Sequence, residues 1–255
     1  MEQLEAIKKV LPLLIADKAV YAVFLKGSIA RGENDEFSDI DLYCLVEREE
    51  LDDFLNRRMN YLKEYRPLIF TRDVNHVGPQ LVGVFDNGIH IDLYTLTSNS
   101  MNTTDQIKVL YDPEKLLCEY KQEPLSISEK LLVDYFDDIA FLMLEFECAY
   151  SRGDLMYASR LGSHIYSYLS IILRYIYDFN NAQMGLRGLY KLLSKDKLNK
   201  LIRAMDSLGP SYLPEGVKVL IEIINEVLEE LPKEIAKKVN KLFLNTMINK
   251  IEKLK

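Results

Sequence analysis

The chain has 255 residues and is poor in cysteine. Cys44, Cys118 and Cys148 are odd in number and far apart, and none forms a Cys-x-x-Cys pair or a zinc spacing with histidine. We therefore expect a reducing, cytoplasmic location. The N-terminus lacks the basic and apolar regions of a secretory signal. The most apolar stretch, 165–176, is short and contains Arg174, so we expect no membrane association.

Glycine and proline are also scarce, with 11 and 8 residues that do not cluster, and tryptophan is absent. Low-complexity segments and internal repeats are therefore not evident. Hydrophobic residues make up 48% and charged residues 28% of the chain, which is typical of a globular protein with a substantial core. The formal net charge of -7 argues against a long nucleic-acid partner, because counterion release favours a basic surface.

Strand-like segments are concentrated in the first half of the chain and helical patterns in the second. This distribution predicts an α/β domain over 1–124 followed by a helical domain over 125–255. The expected strands are 20–25, 40–46, 68–71, 80–85 and 89–95, and the turn Asp86-Asn87-Gly88 predicts a hairpin between the last two. The expected helices are 4–14, 48–65, 128–150, 154–179, 186–193, 195–208, 215–231 and 232–254.

A Gly-Ser pair follows the first predicted strand, and two aspartates lie at the start of the second. Asp39 and Asp41 should share one face of a strand, because side chains alternate. Two adjacent carboxylates repel each other unless a cation lies between them. Magnesium suits such a pair, because it takes hard oxygen ligands and shares them with substrate phosphates. The residue types therefore indicate a site for a magnesium-bound triphosphate.

The residues around the Gly-Ser pair fit an anionic ligand. Gly27 lets the backbone approach a phosphate closely, and the hydroxyl of Ser28 can donate to a triphosphate oxygen. Arg31 either reaches the same phosphates or braces the loop, and Lys26 is either a ligand or a surface residue. A third carboxylate is expected on a neighbouring strand, and Asp92, in the last predicted strand of the first half, could face Asp39 and Asp41.

Three carboxylates can hold two divalent ions, and Asp92 is then placed to accept a proton from an attacking hydroxyl. His90, two residues earlier, should share its face and either assists proton transfer or is structural. The pattern indicates in-line attack on the α-phosphorus of a nucleoside triphosphate, with pyrophosphate leaving.

The segments Gly-Ser-Ile-Ala-Arg-Gly (27–32) and Ser-Asp-Ile-Asp-Leu (38–42) together resemble the DNA polymerase β-like nucleotidyltransferase superfamily. The resemblance implies an α+β fold, with a mixed β-sheet and helices in the N-terminal nucleotidyltransferase domain and an all-α helical bundle after it. It also implies that Asp39, Asp41 and Asp92 are catalytic and bind two Mg²⁺ ions. ATP or another nucleoside triphosphate would bind at Gly27 and Ser28.

A narrower resemblance covers 27–46, 84–96, 110–112 and 135–174, which look like the longer lincosamide nucleotidyltransferases. The helical domain is also similar to that of aminoglycoside nucleotidyltransferases. These resemblances imply an antibiotic-resistance enzyme that transfers AMP from ATP to a hydroxyl of a small molecule, with 125–255 as the substrate-binding domain and a possible homodimer. The lincosamide branch is expected to carry glutamate where this chain has Asp41 and Asp92. The resemblance in the motif therefore does not identify the substrate of this chain.

Two other functions share parts of this pattern. An antitoxin-type protein adenylyltransferase would modify a partner protein, and a non-catalytic relative would only bind nucleotide. In the helical half, four acidic residues either contact a cationic acceptor or form a solvated helix face. They are Asp137, Asp138, Glu145 and Glu147.

Overall fold

The computed structural model describes residues 1–75, 78–101 and 103–255. The chain forms two compact units, 1–124 and 125–255. Each unit has its own hydrophobic core.

The N-terminal unit contains a six-stranded sheet with the order β3-β4-β5-β2-β1-β6. Strands β2 and β5 are parallel, and the other neighbouring strands are antiparallel, so the sheet is mixed as predicted. The elements are α1 (Glu2–Ala16), β1 (Val20–Leu25), α2 (Gly27–Arg31), β2 (Ile40–Val46), α3 (Leu51–Lys63), β3 (Leu68–Asn75), β4 (Pro79–Phe85), β5 (His90–Leu96), a 3-10 turn (Ser98–Ser100) and β6 (Lys108–Tyr111).

Alternation along the central strands separates a packed face from a polar face. Ile40 and Leu42 of β2 and Ile91 and Leu93 of β5 are fully buried in the main core of the unit. That core also receives the apolar stripes of α1 and α3, which explains why both helices are amphipathic. The residues that alternate with these four therefore point to the opposite face of the sheet.

The second unit is helical throughout its regular structure. Long helices α4 (Glu129–Ser151) and α5 (Leu155–Tyr177) pack together and are joined by a turn in which Gly153 has a φ of +76°. The remaining elements are two 3-10 segments (Phe179–Met184 and Leu189–Lys191), α6 (Lys195–Asp206), α7 (Glu215–Glu230), α8 (Lys233–Ala236) and α9 (Lys241–Glu252).

Polar side chains fix where several of these helices begin. Ser128, Asp154, Ser194 and Asn240 each accept a hydrogen bond from the backbone N–H three residues later, which satisfies a donor that the helix itself leaves unpaired. In the described part of the chain, no helix is both long and apolar enough to cross a membrane.

The α+β fold class is confirmed, but β3 continues to Asn75 instead of ending at 71, and other elements also differ from the prediction. The segment 186–193 forms only the 3-10 turn Leu189–Lys191, because Gly188 adopts a φ of +70° just before it. The segment 232–254 is two helices rather than one, since Asn240 caps a new helix. Strand β6 was not predicted, and it pairs with β1 at the sheet edge.

Candidate nucleotide and metal site

Two of the predicted carboxylates lie side by side on the polar face of the sheet. Asp41 of β2 and Asp92 of β5 are register partners in the parallel pairing. Neighbouring strands lie about 4.8 Å apart, so the two side chains emerge next to each other. Asp92 is buried, with 8% of its surface exposed, and Asp41 is half-buried. The parallel pairing of β2 and β5 therefore brings together carboxylates that are far apart in the sequence.

The Gly-Ser loop lies directly against Asp41. Gly27 has a φ of +67°, a conformation that side chains with a Cβ disfavour. A Cβ atom at this position would lie 2.1 Å from Asp41 Oδ2, so the close approach also requires glycine. The backbone N–H of Lys26 donates to the carbonyl of Asp41 at 3.1 Å. The loop and the carboxylate are thus held in contact by backbone geometry.

The hydroxyl of Ser28 is buried beside this contact. Within the described residues, its Oγ has no hydrogen-bond partner. A buried polar atom without a partner costs free energy, about 1–3 kcal/mol. The Ser28 hydroxyl is therefore suited to a ligand that supplies an acceptor.

Asp39 lies just before β2 and is half-buried. Its position alternates with Asp41, as the sequence predicted. The charges of all three carboxylates affect the pKa of the Tyr94 phenol. Burial and the charges of Asp92, Asp41 and Asp39 raise the pKa of Tyr94 to about 12. Their negative potential is therefore concentrated at one end of the polar face.

The carboxylate oxygens at this end of the polar face are suitable ligands for a hard divalent cation. They lie beside the Gly-Ser loop, where Gly27 has no side chain. No three His, Cys, Asp or Glu side chains within 1–75, 78–101 and 103–255 are grouped closely enough to hold a metal by themselves. Asp39, Asp41 and Asp92 as metal ligands therefore stay a prediction.

An aromatic row lies next to the carboxylates on the same face. The rings of Phe24 and Tyr43 are stacked with their centroids 5.1 Å apart, and those of Tyr43 and Tyr94 are stacked with their centroids 4.3 Å apart. Burial, followed by the neighbouring Tyr94 and Asp41, raises the pKa of Tyr43, so its phenol stays neutral. This row was not predicted from the sequence, although Tyr43 and Tyr94 each follow a site aspartate by two positions.

The two basic residues of the motif are both engaged within the protein. Lys26 is buried, and its Nζ donates to the carbonyl of Thr104 at 2.8 Å. Burial lowers the pKa of Lys26, and the charge of Asp105 opposes this shift. Arg31 pairs with Glu33 at 2.8 Å and with Asp105 at 2.5 Å. Arg31, predicted to bind nucleotide, is thus placed in an ion pair with the segment that precedes β6.

His90 contacts the predicted base. Its Nε2 lies 3.0 Å from Asp92 Oδ1, and 39% of the imidazole is exposed. The contact agrees with the expectation that His90 and Asp92 share a face.

The acidic candidates of the helical unit have ordinary surroundings. Glu147 pairs with Lys250 at 3.2 Å, Asp138 is exposed, and Asp137 and Glu145 are half-buried. Their contact with an acceptor remains a prediction.

A comparison with protein-family models gives a match within the N-terminal unit. Residues 5–110, which include every residue of the predicted site, match the model of the nucleotidyltransferase domain. This part of the chain is therefore a nucleotidyltransferase domain, and the predicted superfamily is confirmed. A comparison with curated protein sequences gives no match.

Two solved structures are similar over nearly the whole chain. An aminoglycoside 6-adenyltransferase from Bacillus subtilis is 14% identical, with 97% of this chain and 98% of that chain covered and a TM-score of 0.38. A spectinomycin adenyltransferase from Enterococcus faecialis, solved with ATP and spectinomycin, is 14% identical, with 99% of each chain covered and a TM-score of 0.34. At these identities and TM-scores, neither similarity bears on the substrate of this chain.

Proposed function

We propose that the protein transfers a nucleoside monophosphate, AMP from ATP, to a hydroxyl of a small molecule such as a lincosamide or aminoglycoside and releases pyrophosphate. The observation that carries the proposal is the pairing of Asp41 with Asp92 directly against Gly27. A carboxylate pair beside a Gly-Ser loop suits phosphoryl transfer, in which catalysis is mainly positioning and charge stabilisation. The choice of ATP and of an antibiotic-like acceptor rests on the motif resemblance.

Gly27 and Ser28 would receive the triphosphate. The backbone of Gly27 and Ser28 would contact a phosphate, and the hydroxyl of Ser28 would donate to one of its oxygens. This contact satisfies a buried hydroxyl that has no partner within the described residues. The hydrogen bond from Ser28 would therefore contribute to the free energy of triphosphate binding.

Asp39, Asp41 and Asp92 would hold Mg²⁺, which supplies neutralisation of the triphosphate charge. Asp92 would also accept the proton of the acceptor hydroxyl. The hydroxyl oxygen forms a bond to the α-phosphorus, the bond from that phosphorus to the bridging oxygen breaks, and pyrophosphate leaves. His90 contacts Asp92 Oδ1, which orients the carboxylate and leaves Oδ2 for the proton.

Residues 125–255 would bind the acceptor, a role that rests on the resemblance to the helical domains of aminoglycoside nucleotidyltransferases. In keeping with this role, α4 carries Asp137, Asp138 and Glu145, which would attract a cationic acceptor.

The test is transfer from ATP and Mg²⁺ to a panel of lincosamides and aminoglycosides, followed by mass spectrometry of the acceptors and by pyrophosphate release. Asp39→Asn, Asp41→Asn and Asp92→Asn are compared with Asp86→Asn, a matched carboxylate variant in the turn between β4 and β5. Asp86 pairs with Arg66 at 2.5 Å on the surface.

We expect an adenylylated acceptor with the wild type and with Asp86→Asn. Asp92→Asn should lower the rate by about 100- to 10,000-fold, the range for loss of a general base. Wild-type rates in Asp41→Asn or Asp92→Asn would contradict the proposed site, and adenylylation of a co-purifying protein instead of the panel would contradict the proposed acceptor.

A further inference from the structure

A short segment before β6 is fastened across the Gly-Ser loop and α2. We name residues 103–106 the strap. On the α2 side, Lys26 Nζ donates to the carbonyl of Thr104 at 2.8 Å, and Gln106 Nε2 donates to the carbonyl of Ala30 at 3.4 Å. Arg31 Nη1 donates to Asp105 Oδ2 at 2.5 Å. Lys26, which immediately precedes α2, and Ala30 and Arg31 within α2 are therefore all hydrogen-bonded to the strap.

The strap is held on its other side as well. Tyr120 donates its hydroxyl to the carbonyl of Asp105 at 2.7 Å, and the N–H of Asp105 donates to the carbonyl of Glu123 at 2.9 Å. The N–H of Glu123 donates to the carbonyl of Thr103 at 2.8 Å. Because both sides are anchored, a change at Asp105 would be transmitted to α2 rather than absorbed by a loose loop.

Asp105 has two features that mark it within the strap. Its φ is +72°, a left-handed conformation that is uncommon outside glycine and that aspartate and asparagine tolerate best. Its ion pair with Arg31 is largely buried, with the two side chains 13% and 16% exposed. The second partner of Arg31, Glu33, is 59% exposed, so that pair is screened by solvent. The Arg31–Asp105 pair is therefore the stronger restraint.

We propose that Arg31 is a positioning residue whose ion pair with Asp105 clamps the strap to α2 and thereby fixes the backbone at Gly27 and Ser28. This inference rests on the proposed function, in which that backbone receives the triphosphate. The sequence left two roles open for Arg31, contact with phosphate and bracing of the loop; this inference assigns the second role and gives Asp105 as its partner. It also gives Asp105, a residue outside the motif, a part in nucleotide binding.

The two roles predict opposite effects of removing the charge at position 105. If Arg31 contacted phosphate directly, Asp105 would compete with the triphosphate, and Asp105→Asn would tighten binding. If Arg31 is a clamp, Asp105→Asn weakens binding, because the loop loses its restraint. Asparagine keeps the left-handed backbone, so this variant changes the charge and not the conformation.

The experiment measures ATP binding with Mg²⁺ by calorimetry for Arg31→Gln, Asp105→Asn and the double variant, with Glu33→Gln as the matched control on the same guanidinium. We expect each single variant to weaken binding by about tenfold and the double variant to bind no worse than either, which is the signature of two residues acting as one unit. Glu33→Gln should bind as the wild type does. Tighter or unchanged binding by Asp105→Asn would overturn the clamp.

Amide hydrogen exchange without nucleotide separates this inference from the proposed function. The amides of 27–32 and of the strap should exchange faster in Arg31→Gln and Asp105→Asn, to the same degree, while those of the β4–β5 hairpin are unchanged. Exchange at wild-type rates in both variants would overturn the clamp even if ATP binds. If the wild type binds no ATP, the proposed function fails, and the exchange result alone decides whether the clamp exists.

Discussion

Gly27→Ala tests the geometry of the site with the smallest possible change. The new methyl group would lie 2.1 Å from Asp41 Oδ2, whereas carbon and oxygen atoms normally approach to about 3.3 Å. The carboxylate of Asp41 must therefore turn or shift away from the loop by about 1 Å, and a displacement of this size at the site can lower the rate by about 100-fold. A further cost of about 1 kcal/mol in unfolding free energy arises from the φ of +67°, because alanine disfavours the left-handed region.

Gly88→Ala is the matched control for the backbone cost. Gly88 has a φ of +84°, and a Cβ there would meet nothing within 4 Å. Gly88→Ala should lose only the backbone cost of about 1 kcal/mol in chemical denaturation. Gly27→Ala should lose at least as much, because it also bears the clash with Asp41, and only Gly27→Ala should lose transfer activity and ATP binding. Wild-type kcat/KM in Gly27→Ala would refute the reasoning, because the carboxylate and the loop would not then need this contact.

Two further predictions concern stability. Hydrogen bonds from Arg57 and Tyr61 hold the pKa of Asp17 at about 2, below its ordinary value of 3.8, so its contribution is present above pH 3.8 and is lost as the pH falls through 2. Asp17→Asn should remove roughly 2 kcal/mol of unfolding free energy at neutral pH and flatten the acid dependence between these values, and an unchanged acid denaturation curve would contradict this. Gly216→Ala should destabilise the protein by about 1–3 kcal/mol, because its Cβ would lie 2.5 Å from the backbone oxygen of Ser207. In Gly162→Ala the new Cβ would meet only a side chain, at 2.7 Å, so this variant should lose less unfolding free energy in thermal denaturation than Gly216→Ala. Equal losses in the two variants would contradict the larger cost assigned to the backbone contact.

The sequence predicted the parts of the site that depend on local periodicity. Alternation placed Ile40 in the core and Asp41 on the opposite face, and the same rule applied to Ile91 and Asp92. The hairpin turn before β5 was readable from its residue types, and Gly88 has the positive φ that such turns need. The mixed sheet followed from the resemblance and not from periodicity.

The parts that could not be predicted depend on contacts between distant residues. Periodicity does not state which strands are neighbours, so the register that pairs Asp41 with Asp92 is seen only in the structure. The same limit explains why β6 was missed, since its four residues are a strand only because they pair with β1. The partner of Arg31 could not be predicted either, because Asp105 lies outside the motif in a conformation that no local pattern indicates.

The most direct test of the account is a crystal structure with Mn²⁺ and a non-hydrolysable ATP analogue, with anomalous scattering used to locate the ion. We expect an anomalous peak in contact with the carboxylates of Asp41 and Asp92, and a phosphate oxygen within hydrogen-bonding distance of Ser28 Oγ. A nucleotide bound elsewhere, or a peak that touches neither carboxylate, would contradict the central claim that this pair and the Gly27–Ser28 loop form one nucleotide site.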